Sequence, residues 1–517
     1  MKFFRLLYPL FFTLFPILQF YSSNRKEVVL TSIWMPIAIA FGLTLTWWVI
    51  MRFLLKSSTR ASFMTVIATL FFYSYGHIRS FLFSYLLKSG TIFRVDRNYV
   101  VFLIVCILAY ALWKFFISAK DPKTLQLFLA FAGFYLVFIN LFQIVPYEIH
   151  KLANPTTKGK NLLSVKKQSI ENKPDIYYII PDRYGNSSVL SKYYDFDNSD
   201  FINFLKEKGF YVAEDSFANF PKTHLSIASS LNLEYINYLS DKLGRDYSSY
   251  TPAFDLVENN KVANTLISLG YKYFYFGDWW EPTRISRIAD ENINLFVDSN
   301  EFTRKFFETT ALNAFPNSYL EKLFVAYSPD KQYNNLLYKF DKLGTIAKRQ
   351  SPKFIFAHML MPHYPYLFDK NCKRKEDLEG IGEKGQYLAE LQCSNALLKK
   401  AITGILAHSK KPPIIIIQSD EGPFDFTEMK RSGEDTDWTK VSQKALETHM
   451  KIINAYYVPD EIKKSLYPGI TPVNSFRVVF NALFKTKMDI LDDTSYFIPN
   501  IDRPYDFYEI TDKLKGK

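Results

Sequence analysis

Five apolar stretches crowd the first 148 of 517 residues, and a chain with so much continuous apolar sequence at one end cannot fold as a single water-soluble domain. They cover residues 3–20, 28–55, 62–75, 99–117 and 124–145. Most approach the roughly 20 residues that a helix needs to cross a bilayer core. The third breaks at Gly76-His77 and resumes at 81–87. The first begins MKFFR like a signal peptide, yet no small-residue cleavage site follows and more spans come after it, so it reads as an uncleaved anchor. The expectation is an all-α, five-helix transmembrane domain over 1–148.

The formal charge of +12 has to be located before it is interpreted. Residues 1–148 hold 14 Lys and Arg against 4 Asp and Glu, which leaves 49 basic and 47 acidic residues beyond them. A near-neutral remainder without a basic cluster argues against nucleic-acid binding, and no protein partner is evident. With the N-terminus inside, the cytoplasmic loops carry eight basic residues against six outside, the direction of the positive-inside rule. An odd number of spans then puts everything after Pro146 outside the cytoplasm of a bacterial inner membrane. Of the three cysteines, Cys106 lies in an apolar stretch. Cys372 and Cys393 either stay as thiols or, in an exported domain, pair to close a loop of about 20 residues worth roughly 3 kcal/mol.

Residues 149–173 are polar, Lys-rich and aperiodic, a linker. Over 174–491 amphipathic helices alternate with short apolar strands, at 176–180, 210–212, 271–276, 354–357, 414–417 and 452–458. That grammar predicts an α/β domain with a doubly wound, mainly parallel sheet. Residues 492–517 read as a C-terminal tail.

Ligands in such sheets bind beyond the carboxyl ends of the strands. The stretch KPPIIIIQSDEGPF, residues 411–424, is a buried strand that stops at Asp420-Glu421, and DIYYII ends in Asp182-Arg183. Ordinary acidic turns would look the same residue by residue. Carboxylates delivered to one edge by separate strands repel one another unless a cation neutralises them, which favours a hard divalent metal. In FANFPKTHLSIASSLN, residues 217–232, Thr223 stands at a helix start, either as an N-cap or where backbone N–H groups stabilise anions.

The order Asp182, Thr223, then a strand ending in Asp420-Glu421-Gly422 resembles the alkaline-phosphatase superfamily. Within it, the chain resembles the bacterial sulfatase-like membrane proteins that include lipoteichoic acid synthases and phosphoethanolamine transferases. FLKEKGFYV, GDWWEPTR, MPHYPYLFD, INAYYVP and TPVNSFRVV follow in the same order. The resemblance implies five spans and an extracytoplasmic catalytic domain. It implies Asp182, Thr223, Asp420 and Glu421 as metal ligands, Thr223 also as nucleophile, and His363 beside the substrate as phosphate ligand or proton donor. A bound cation would lower the hydroxyl's pKa, which free threonine needs to react. Arg183 and Arg477 are candidate phosphate contacts, while Trp280 and Arg284 either line the substrate groove or serve as buried loop packing and a surface ion pair. His358 reads equally as a buried structural histidine, and His449 is not expected to be a ligand.

Three departures shape the expectation. Many relatives have Asp-His where this chain has Asp420-Glu421. Neither Cys372 nor Cys393 starts the Cys-x-Pro-x-Arg stretch that formylglycine sulfatases need, and no Asp-x-x-x-His spacing supports a second metal. One divalent metal is therefore expected, manganese or magnesium ahead of calcium or zinc. The implied reaction moves a phospholipid head group, with membrane phospholipid as donor and an envelope glycan or lipid as acceptor. Hydrolysis of phosphate esters and a non-catalytic envelope-binding domain with a degenerate metal cleft stay open as alternatives.

Overall fold

The computed structural model describes residues 2–25, 28, 30–85, 91–92, 95–118, 122–153, 162–163, 173–296, 301–314, 328–375, 383–423, 435–437 and 439–516. The expected linker 149–173 lies mostly outside them. The chain divides into two compact units, Met1–Pro155 with Asn300–Ser328, and Thr156–Ser299 with Pro329–Lys517. The first unit therefore takes back a segment from the middle of the second, which the expected single boundary near 148 did not include.

The first unit contains α1 (Lys2–Asn24), α2 (Trp34–Leu55), α3 (Ser58–Tyr85), α4 (Arg97–Ile117) and α5 (Pro122–Ala153). Three helices among the described residues, at Leu30–Leu55, Ser58–Leu82 and Lys123–Ile149, are long and apolar enough to cross a membrane. Five were expected. The apolar part of α4, Val100–Lys114, falls short of a bilayer core, and α1 carries Pro9 and Pro16 in its interior. The broken third stretch is one continuous helix. Polar side chains join the helices: Thr13 Oγ1 to Thr44 Oγ1 at 2.8 Å, and Tyr21 Oη donating to Glu148 at 2.6 Å. Such bonds hold where no water competes. The returning helix Glu301–Glu308 packs Phe302 and Phe306 on Phe20 of α1, with ring centroids 5.1 and 5.8 Å apart.

The second unit is built on a seven-stranded sheet. Its strands are β1 (Ile176–Pro181), β2 (Tyr211–Val212), β3 (Lys272–Phe276), β4 (Glu291–Asn292), β5 (Lys353–Met359), β6 (Ile414–Gln418) and β7 (Asn454–Tyr457), in the order β2-β7-β6-β1-β5-β3-β4. The pairs β6/β1, β1/β5, β5/β3 and β3/β4 are parallel, whereas β2/β7 and β7/β6 are antiparallel. The sheet is thus the expected mainly parallel one. Both faces are covered, which is why β6 needs no polar alternation. Ile414 and Ile416 pack on one face with Tyr178 and Phe476, and Ile415 and Ile417 on the other with Tyr177 and Leu398. The helices that matter for the site are α6 (Thr223–Asn232), α7 (Pro329–Thr345), α8 (Glu383–His408) and α9 (Pro472–Phe484).

Residues 492–517, expected as a tail, form an antiparallel pair, β8 (Tyr496–Phe497) with β9 (Tyr508–Glu509), and bury Phe497, Tyr505, Phe507 and Leu514. Phe220, three residues before Thr223, sits against Tyr496 and Phe507 at 5.3 and 5.1 Å. The aromatic content of this segment gives it enough apolar surface to pack, and it props the loop that enters α6.

Candidate metal centre

Register assembles the site. In the parallel ladders Ile180 lies opposite His358, Pro181 opposite Met359, and Ile179 opposite Ile417, so β1, β5 and β6 end together. Asp182 follows β1, His358 is the next-to-last residue of β5, and Asp420 comes two residues after β6. All three are buried, with ligand atoms within 4.8 Å of one another. Gly422 lets the turn after Asp420 pack against the chain at Thr448: a Cβ there would lie 2.2 Å from the Thr448 carbonyl oxygen. Ser419 ties the two turns together, taking the Tyr184 N–H at 2.9 Å and donating to the Pro181 carbonyl at 2.8 Å.

Three buried carboxylates each keep one oxygen without a hydrogen-bond partner: Asp182 Oδ1, Asp420 Oδ2 and Glu421 Oε2. Unpaired buried carboxylate oxygens are costly. Burial, and then the nearby Asp182 and Glu421 carboxylates, push Asp420 up to about 7. Asp182 is likewise raised by burial, with Arg183 opposing and Glu421 and Asp278 adding to it. A divalent cation would favour the ionised form of both carboxyls and so oppose both shifts. The donor set, oxygen-rich with one imidazole, fits such an ion.

The surrounding groups orient these donors. His358 Nε2 is 3.1 Å from Asp182 Oδ2, and its Nδ1 is 2.8 Å from the Thr283 hydroxyl, which serves either tautomer because it can donate or accept. Burial holds the His358 pKa down at about 4, so the ring is neutral and able to ligate. Behind it, Lys339 donates to Asp278 at 2.7 Å and to the His358 carbonyl at 2.5 Å, a fully buried ion pair. Glu421 divides its oxygens. Oε1 accepts from Arg183 Nε at 3.1 Å, while Oε2 lies 3.5 Å from His449 Nε2. Arg183 N–H reaches Asp420 Oδ1 at 3.3 Å.

Thr223 opens α6 after Lys222, and its half-buried side chain lies near enough to Asp420 to oppose, in small part, the rise of that carboxyl's pKa. The hydroxyl thus lies near the carboxylate group at a helix N-terminus, where free N–H groups favour anions. Next to it, His224 is buried under Tyr250, Phe254 and Trp280, with centroids at 4.4, 5.4 and 6.1 Å. Trp280 also faces His358 at 6.4 Å.

His363 turns Nδ1 onto the Tyr364 carbonyl, and burial and then the nearby Arg183 charge hold its pKa well below the usual range. Two other candidates fall elsewhere. Arg284 is buried and donates to the Phe296 carbonyl at 3.5 Å. Arg477 donates to the carbonyls of Leu233 and Asp489, at 2.7 and 2.6 Å, which makes it a brace between α9 and the end of α6. Asp278, Thr283 and Lys339 were not singled out from sequence as site residues. GDWWEPTR was visible as a motif, but Lys339 reads as one more exposed lysine of an amphipathic helix.

Cys372 and Cys393 form a disulfide with Cα atoms 5.0 Å apart. It fastens the loop after β5, which carries His363, to α8.

No protein-family model matches the sequence, and no curated protein matches it. Solved structures do. The C-terminal periplasmic domain of EcEptC from Escherichia coli is 11% identical, with a TM-score of 0.40 over 66% of this chain and 93% of that one. The integral membrane lipooligosaccharide phosphoethanolamine transferase A (EptA) from Neisseria meningitidis is 11% identical, with a TM-score of 0.38 over 92% of this chain and 95% of that one. The periplasmic domain of phosphoethanolamine transferase EptC from Campylobacter jejuni is 11% identical, with a TM-score of 0.36 over 60% and 90%. Among solved structures, the chain is similar to phosphoethanolamine transferases.

Proposed function

We propose that the protein is a metal-dependent phosphotransferase that moves a phospholipid-derived head group to an envelope glycan or lipid through a phospho-threonine intermediate. The observation that carries this reading is the group of buried carboxylates that leave three oxygens unpartnered, with Thr223 beside Asp420 at the head of α6. Asp182, His358 and Asp420 would hold the metal with the free oxygen of Glu421 and the Thr223 hydroxyl, and manganese suits five donors of this kind better than magnesium because one is an imidazole. The ion would supply charge to polarise the phosphoryl oxygen and to lower the hydroxyl pKa.

The residues themselves define the steps. Asp420 accepts the Thr223 proton as Oγ1 bonds to phosphorus. The bond from phosphorus to the diacylglycerol oxygen breaks, and that oxygen takes its proton from His363, which is charged once the anionic substrate offsets the burial and the Arg183 charge that hold the free ring neutral. In the second half an acceptor hydroxyl gives its proton to His363, bonds to phosphorus and expels Thr223 Oγ1, which is reprotonated by Asp420. Arg183 and the α6 N-terminus face the anionic oxygens. Trp280 lines the same side.

The disulfide supports an extracytoplasmic location for the second unit, since such bonds persist in oxidising compartments. The three helices long and apolar enough to cross a membrane among the described residues are also an odd number, which agrees with it.

The test is intact-protein mass spectrometry after incubation with manganese and phosphatidylethanolamine vesicles. A head-group adduct on Thr223 that is absent from Thr223→Ala is expected. Full turnover by Thr223→Ala would refute the covalent route, and release of free phosphoethanolamine without an acceptor product would make the enzyme a hydrolase.

A further inference from the structure

Helix α8 touches the site without contributing a ligand. Tyr387, buried within it, donates its hydroxyl to the Arg183 carbonyl at 3.0 Å and accepts the Gly185 N–H at 3.2 Å. One phenol therefore clamps both ends of the turn that follows Asp182. The turn needs a clamp because Arg183 has φ +62°, the left-handed region that a side chain with a Cβ adopts only under strain. Its far end is confined as well. A Cβ on Gly185 would lie 2.9 Å from Pro423 Cδ, so the turn abuts the chain just past Asp420-Glu421-Gly422. Held this way, Arg183 puts Nε 3.1 Å from Glu421 Oε1.

Other bonds from α8 reach the neighbouring loops. Glu390 accepts the Phe368 N–H at 2.9 Å, Cys393 is bonded to Cys372, and Asn395 bonds the Tyr184 hydroxyl. Burial keeps the Tyr387 phenol above its usual range, so it stays a donor.

We infer that Tyr387 is a positioning residue that sets the Arg183 guanidinium for the anionic oxygens of a phosphodiester, leaving the metal ligands to β1, β5 and β6. The inference rests on the proposed phosphotransfer. It separates two functions that a general structural role would not: phosphate affinity depends on Tyr387, and metal affinity does not.

The experiment uses the full chain in detergent, loaded with manganese. Inorganic phosphate binding and manganese binding are measured by calorimetry, and turnover with bis(p-nitrophenyl) phosphate. Tyr387→Phe, which removes one oxygen and keeps the ring, is expected to weaken phosphate binding and raise KM by about five- to tenfold, the loss of one or two hydrogen bonds. Manganese affinity and kcat should stay within about twofold. In an Arg183→Gly background, where the left-handed turn carries no strain and no guanidinium, Tyr387→Phe should change phosphate binding no further. Equal effects in both backgrounds, an unchanged phosphate affinity, or a parallel loss of manganese binding and thermal stability would overturn the inference. So would a wild type that binds no phosphate. A wild type that binds phosphate but turns over no phosphodiester would count against the proposed reaction, while the calorimetric cycle still decides the role of Tyr387.

Discussion

Glu421 concentrates the chemistry of the site in one side chain. Its Oε1 pairs with Arg183, and its Oε2 has no hydrogen-bond partner. The sequence raised the question because many of the proteins it resembles carry histidine there, and geometry gives it a form: a histidine could ligate a metal but could not pair with a guanidinium. Glu421→Gln should therefore weaken manganese binding by at least tenfold and also destabilise the metal-free protein. Removing one partner of a buried pair costs about 3–5 kcal/mol when the other charge stays buried, and the side chain of Arg183 is 16% exposed, so about half of that is expected. Calorimetric titration and thermal melts check the two effects separately. Asp182, Asp420 and Thr223 were legible as candidates because each sits at an element boundary that sequence pattern marks. His358 was not distinguishable from a core histidine, since only the pairing of β5 with β1 brings its ring to Asp182, and a strand's partner is not written in its own residues.

At the scale of elements, α8 is the organiser, and its Glu390 makes a pH-dependent contribution. Burial raises the Glu390 carboxyl to about 8, partly offset by hydrogen bonds from the Phe368 and Leu367 N–H groups. A carboxyl raised in the folded state favours folding fully below its unfolded value near 4.5, and that contribution is lost as pH climbs through about 8. At about 1.4 kcal/mol per unit, the loss amounts to a few kcal/mol. The melting temperature of the wild type should fall between pH 5 and pH 9 by more than that of Glu390→Gln. Equal falls would contradict the assignment. Strand positions were readable from composition: β6 is four isoleucines after two prolines, buried on both faces. The returning helix Glu301–Glu308 was not. EFTRKFFE has the apolar periodicity of any surface helix, and nothing local says that its phenylalanines pack in the helical unit.

For the whole molecule, the division into an apolar helical unit and an α/β unit was visible in charge and hydropathy along the chain. The packed C-terminus was not, because 492–517 lacks a long apolar run and buries scattered aromatics instead. The disulfide is a property at this scale, since it reports the compartment. It closes a loop at a sequence separation of 21, worth roughly 3 kcal/mol. Protein made in an oxidising compartment should melt several degrees higher than the Cys372→Ser, Cys393→Ser double variant, and the gap should vanish under strong reductant.

The central claim is that a divalent cation joins the ends of β1, β5 and β6 to Thr223. Anomalous diffraction at the manganese edge, from crystals grown with manganese, tests it most directly. The account predicts one peak about 2.0 to 2.3 Å from oxygens of Asp182, Asp420 and Thr223, with Glu421 and His358 completing the shell. A peak that excludes Thr223, or no peak at this edge of the sheet, would contradict it.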